Sequence, residues 1–177
     1  CLRITLSSKK SMTADVEGYN WLNQLCDRTL NGRRGAGTRY HILSEMLACL
    51  ADKKAAIDEA LSASSPLETH EDLEPSLQTR YKQELVAAIE AEYRRQRADL
   101  VSLLQWFRRD VWLQSLDAGH SLLQFPGLSK ETQAIASRIS KPAALKNVNI
   151  ADQLQRQLNT NVQEALAIEV ALLKIAL

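Results

Sequence analysis

The chemistry most concentrated in this sequence is that of arginine: Arg94, Arg95 and Arg97 stand together, and Arg108 with Arg109 follows about four helical turns later. A guanidinium keeps its charge at any physiological pH and offers five donors in a planar fork, so such a cluster could hold phosphates. Glu90, Glu92, Asp99 and Asp110 are interleaved with these arginines, and some sit at the spacing at which opposite charges pair on a helix. The pattern predicts a salt-bridged outer face. Arg94, Arg95, Arg97, Arg108 and Arg109 are the candidate phosphate contacts if that face meets nucleic acid.

Other residue types with chemical potential do not assemble. Gly32 and Gly37 have the spacing of a phosphate-binding loop, but Thr38 stands where that motif needs a lysine to hold the outer phosphates. A helix-to-helix turn is the reading that remains. His41, His70 and His120 are scattered, with no His-Glu-x-x-His pair and no cysteine at ligand spacing. His70-Glu71-Asp72 reads as part of an acidic loop. No serine lies in a Gly-x-Ser-x-Gly context, and carboxylate pairs such as Glu90 and Glu92 fit a solvated helix face. The residues therefore predict no active site, cofactor or metal in this chain. Trp106 and Trp112 fall about 100° away from the main apolar stripe of the helix that carries them. A second wall of the core or a partner must cover them, and Trp112 is a candidate interface residue because aromatics concentrate at interface centres.

The elements that must position these residues are helical. Alanine, leucine, glutamine, glutamate and arginine dominate the 177 residues, while glycine and proline occur 6 and 4 times. Those abundant side chains lose little freedom in a helix, so an all-α fold is expected. A net charge of +1 confines any basic surface to a local patch. Cys1, Cys26 and Cys49 are an odd number without a close pair, which fits a reducing cytoplasm better than a disulfide framework. The first residue is cysteine rather than methionine, which predicts a fragment or a processed product. The most apolar segment, 162–177, is too short and too often interrupted by polar residues to span a bilayer.

Along the chain, Leu2 to Leu6 alternates apolar and polar residues, the period of a strand belonging to a sheet absent from this sequence. Ser11 or Thr13 could cap a first helix running to about Leu30, and a second is expected from about Thr38 to Leu61. Residues 62–76 read as an acidic loop. The longest periodic stretch, about Leu77 to Leu116, brings Leu85, Ile89, Tyr93, Leu100, Leu103, Leu104, Phe107 and Val111 into one sector of about 100°. It predicts a helix of roughly ten turns, long enough to be a spine. Leu122, Leu123 and Phe125 should tuck inward, and short helices should follow from Ser129, from about Ala143 to Leu158 and from Asn161 to Leu177. The organisation expected is thus a remnant strand over 1–8, a helical region over 9–61, the loop, and a helical domain over 77–177.

The last of these helices is apolar on two sides. Val162, Leu166, Val170, Leu173 and Leu177 form one stripe, and Ile168, Leu172 and Ile175 another, roughly opposite. The larger first stripe is expected against the long helix, which makes Ile168, Leu172 and Ile175 candidates for covering by the preceding helix or by a partner.

This closing text also carries a resemblance. Leu154-Gln155-Arg156-Gln157-Leu158-Asn159-Thr160-Asn161-Val162, then Ala165-Leu166-Ala167-Ile168-Glu169 and Leu172-Leu173, resembles the end of the collar domain in bacterial DNA polymerase III clamp-loader subunits. Glu92-Tyr93-Arg94-Arg95 to Trp106-Phe107-Arg108-Arg109-Asp110 is similar to a helix of the delta-prime type, with Val111-Trp112-Leu113 in place of its leucines. Cys1-Leu2-Arg3-Ile4 resembles the strand after the Ser-Arg-Cys motif of clamp-loader ATPase domains. The resemblance is good over about 50 residues, Glu92–Leu116 and Asp152–Leu177, while the family's small lid domain is not recognisable over Ser7–Gly37. It implies a non-catalytic, cytoplasmic assembly domain that packs with sister subunits into a hetero-pentamer. The parent complex would be an ATPase that opens a sliding clamp on primed DNA. Asn159 and Asn161 join Trp112, Ile168, Leu172 and Ile175 as candidate subunit contacts. The alternative is a helical nucleic-acid-binding module using the arginine face.

Overall fold

The computed structural model describes residues 16–33, 35–66 and 74–177. The expected strand over Leu2–Leu6, the first-helix caps Ser11 and Thr13, and residues 67–73 of the acidic loop, among them His70, lie outside the described residues. Among the described residues there are six α-helices and no strand. None of these helices is long and apolar enough to cross a membrane.

Helix α1 (Val16–Asn31) turns Trp21, Leu22, Leu25, Cys26 and Thr29 to one side, three to four residues apart, and all five are buried. It ends at Gly32, whose N–H donates to the Arg28 carbonyl at 3.0 Å. A Cβ at Gly32 would stand 2.4 Å from that same carbonyl oxygen. Glycine is required there by close backbone approach, which makes the glycine-rich segment a helix-to-helix turn. Helix α2 (Ala36–Ala63) then runs back, burying Ile42, Leu43, Met46, Leu50 and Ile57.

Helix α3 (Pro75–Ser115) is the spine, 41 residues or about 60 Å long. Pro75 begins it where a missing N–H costs nothing and the ring pre-sets φ. Its buried residues start only at Tyr93. Before that, Leu85 and Ile89 are half-buried, while Leu77 and Val86 are exposed. The spine closes with Asp117 in the left-handed region at φ 57°. Around it the Ala118 N–H reaches the Leu113 carbonyl at 3.0 Å, and the Asp117 N–H reaches Gln114 at 3.1 Å. These two bonds satisfy carbonyls that the helix end leaves open, in an arrangement that favours glycine at the left-handed position. Asp117→Gly is therefore expected to stabilise the chain by about 0.5–1 kcal/mol, read as a shift in the urea midpoint at unchanged slope.

After α3 the chain makes two 3-10 turns, His120–Leu122 and Pro126–Leu128. Leu123 and Phe125 enter the core as expected, whereas Leu122 stays exposed. The buried carboxylate of Asp110 holds this stretch, accepting the N–H groups of Gln124 at 2.9 Å and Phe125 at 2.8 Å. Desolvation raises its pKa, while the two backbone donors and nearby Arg109 act in the other direction. Helix α4 (Ser129–Ala136) follows, then α5 (Lys141–Leu158), which the Ser140 side chain caps by accepting the Ala143 N–H.

Helix α6 (Glu164–Lys174) is shorter than expected at both ends. Its C-terminal exit is fixed by buried Asn147, whose amide donates to the Ala176 carbonyl at 2.8 Å and accepts the Ala176 N–H at 2.9 Å. Arg39 on α2 adds a bond to the Ile175 carbonyl at 3.2 Å. Side chains from Trp21 to Ile175 enter one hydrophobic cluster, so residues on both sides of the 62–76 segment share a core.

Candidate docking surface

The arginines do not converge. Arg94 is exposed. Arg95, also exposed, is engaged by Glu92 at 2.5 Å and Asp99 at 3.1 Å along the same helix, as the spacing of opposite charges leads one to expect. Hydrogen bonds from Arg95 and Gln96 hold the Glu92 carboxyl down to about 2. Arg97 turns inward: it meets Glu164 at 2.8 Å and donates to the Leu158 carbonyl at 2.7 Å. Tyr93 donates to the same carboxylate at 2.5 Å. Both residues thus tie the end of α5 and the start of α6 to the spine. The acid they hold stands in the first turn of α6, where the helix dipole favours negative charge.

Arg108 corrects the outer-face expectation outright. It is only 1% exposed, and all three guanidinium nitrogens lie buried without a hydrogen-bond partner. The helical wheel places it outside the apolar sector correctly, but α1 and α4 also pack on the spine and close over that side. Arg109 lies partly buried beside Trp106, 5.2 Å from the ring centroid, and donates to the Leu122 carbonyl at 3.1 Å. Of the five candidate phosphate contacts, Arg97 and Arg108 are therefore turned to the chain's own interior.

The candidate interface residues divide as sharply. Asn159 and Asn161 are exposed and Trp112 is half-buried. Ile168, Leu172 and Ile175 are 0%, 3% and 1% exposed and belong to the core of this chain. The first stripe thus departs from expectation, whereas the second is covered within the chain, one of the two coverings expected for it. Ile168 and Leu172 face inward, while Val162, Leu166, Val170 and Leu173 are 45%, 51%, 36% and 40% exposed. The reason is local. Small Ala167 and Ala171 flank the inward stripe and are buried with it, letting α6 sit close to its neighbours. The Tyr93 and Arg97 bonds to Glu164 then set its rotation.

The outward stripe forms a surface that the sequence reading did not single out as a docking face. Tyr40 of α2, 50% exposed, lies beside it with its hydroxyl 3.4 Å from Glu169. Asn159 and Asn161 stand at the head of the same segment. Leu166, Val170 and Leu173 on one face of α6, with Val162 just before the helix begins, make an apolar patch of the kind that monomers rarely leave open. The two-sided apolarity of α6 was the available signal, but periodicity does not say which side the fold covers.

Chemically, this surface is suited to binding: apolar side chains edged by the Tyr40 hydroxyl and the Glu169 carboxylate. Among the described residues no cluster of three or more His, Cys, Asp or Glu could hold a metal ion. Neither a family model, nor a curated protein, nor a solved structure matches this chain.

Proposed function

We propose that this chain is a helical subunit-assembly domain, similar to the collar domain of bacterial clamp-loader subunits of the delta-prime type. It acts in the cytoplasm by docking on sister subunits, and through them on the sliding clamp and primed DNA. The observation that carries the reading is the exposed stripe Val162, Leu166, Val170 and Leu173. It lies within the same segment whose sequence resembles the family, with exposed Asn159 and Asn161 at its head. An apolar helix face rimmed by polar residues fits an obligate neighbour better than it fits solvent.

The arginine-face alternative has less support, because Arg97 and Arg108 point into the fold and Arg95 is paired with carboxylates of its own helix. A co-purification experiment separates the two readings. The chain should enter a complex with clamp-loader subunits of its own organism, and Leu166→Glu with Leu173→Glu should reduce its recovery at least tenfold at an unchanged melting temperature. Retention of the double variant in the complex would overturn the docking face. Salt-dependent binding of the isolated chain to primed DNA, without sister subunits, would favour the alternative.

A further inference from the structure

A second surface lies away from α6. Helices α1, α2 and α3 enclose an open groove of about 1100 Å³, and no residue of the last helix lines it. It follows α2 from Glu45 to Leu61, a run of about 24 Å, which is the length of roughly four turns of helix. Ala48, Ala56 and Ala60 face it at multiples of four residues, all exposed, so the wall of α2 is low on either side of Asp52, the fourth member of that stripe. A low wall lets a second backbone come to the 8–10 Å separation of packed helices. Beneath lie the edges of Trp21, Ile57, Leu100 and Leu103, apolar anchoring ground at the groove's floor.

Charge says what kind of helix fits. The groove is lined by the carboxylates of Glu17, Glu45, Asp52, Glu92 and Asp99. Only Lys53 and Arg95 oppose them. Five against two leaves an excess of three negative charges, or two when Arg28, which bonds Glu45 at 2.8 Å from outside the groove, is counted. Lys53 is taken by Glu17 at 3.0 Å, and Arg95 by Glu92 and Asp99, whereas Asp52 is exposed in the middle of the α2 wall.

We infer that this groove receives an amphipathic helix of a partner protein, about four turns long, with small or apolar residues toward the floor and lysine or arginine along both edges. Its apolar face lies over Ala48, Ala56 and Ala60, and its cations meet Asp52 and the flanking carboxylates, the helix-in-groove mode of recognition. Electrostatic complementarity of this sort sets orientation and speeds encounter, so binding should weaken with added salt.

The test uses the full chain and two fluorescein-labelled synthetic amphipathic peptides of about four turns, one of leucine and lysine, the other of leucine and glutamate. Anisotropy should rise with the lysine peptide and not with the glutamate peptide. Ala56→Arg, which raises the wall and reverses the local field, and Asp52→Lys should each weaken binding at least tenfold, with the circular-dichroism melt unchanged. Absence of binding, equal binding of the two peptides, or full affinity in the Ala56→Arg chain would each overturn the inference. So would concentration-dependent self-association that Ala56→Arg abolishes, since a second copy would then be the occupant.

Discussion

Replacing Arg108 by methionine is expected to raise the free energy of unfolding by about 3 kcal/mol, an unusual direction for a change at a fully buried position. A guanidinium in the core keeps its charge at neutral pH, and here none of its three nitrogens has a hydrogen-bond partner. Cys26 lies close enough to interact electrostatically, but as a neutral thiol it compensates nothing at pH 7, because burial pushes it up to about 12. Burial lowers the pKa of Arg108 from the ordinary guanidinium value to about 10. At 1.36 kcal/mol per pKa unit, that difference is a penalty of about 3 kcal/mol on the charged form. A flexible apolar chain of comparable reach removes the penalty and keeps most of the packing, and such replacements of buried charge are often stabilising by about 1–4 kcal/mol. Urea unfolding at pH 7 measures the change. A loss of 1 kcal/mol or more would show that the guanidinium meets a buried acceptor and contributes to the fold.

The same shift gives the pH dependence a definite sign. The folded pKa of Arg108 lies below the unfolded one, so from about pH 10 up to the ordinary guanidinium pKa the unfolded chain binds more protons and stability rises with pH. The advantage of the methionine variant should therefore be full at pH 7 and shrink as pH climbs through 10. Cys26 acts the other way. Its raised folded pKa gives a contribution that is complete below pH 9 and is lost as pH rises through about 12. Losing the nearby cation raises the Cys26 thiol further, so the difference between the two proteins reports Arg108 alone only below pH 9, where the thiol is neutral in both states.

Arg108 also marks the limit of what periodicity can tell. Element boundaries were legible where local chemistry decides them. The spine begins at Pro75 and ends at Ser115, close to the expected Leu77–Leu116, because its first-turn proline and the loss of helical pattern are features of the chain itself. The turn at Gly32 was legible for the same reason, since a glycine break needs no tertiary knowledge. Which face of an element is covered is a tertiary fact. The wheel of α3 shows an apolar sector and a charged remainder, yet α1 and α4 close over part of the remainder and take Arg108 inside with it. Spacing alone puts Arg97 on the salt-bridged outer face, because its partner, Glu164, stands 67 residues away, far beyond the helical pairing distance. The two stripes of α6 were both visible, but their assignment turned on close packing at Ala167 and Ala171, side chains too small to signal a buried face by hydrophobicity alone.

The outward turn of the first stripe leads to the sharpest contrast available in the chain. Leu172→Glu together with Ile175→Glu is expected to unfold it. Leu172 and Ile175 are 3% and 1% exposed within the cluster that joins all six helices. Truncation of a buried leucine or isoleucine to alanine alone costs about 2–5 kcal/mol. A carboxylate in the same place adds the desolvation of a charge with no partner, several kcal/mol more per site. Two such changes exceed the roughly 5–15 kcal/mol by which domains are usually stable. The circular-dichroism signal at 222 nm should show a large loss of helix at 25 °C, apart from any question of assembly. Leu166→Glu with Leu173→Glu adds the same two charges to the same helix, at positions 51% and 40% exposed. There the carboxylates reach water, and the cost should stay within about 0.5 kcal/mol per site. One pair of variants thus separates core from surface on a single helix. A folded Leu172/Ile175 double variant would return those residues to the partner side and place the outward stripe in the core. An unfolded one, beside a folded Leu166/Leu173 variant, leaves the outward stripe as the face free to carry a neighbour.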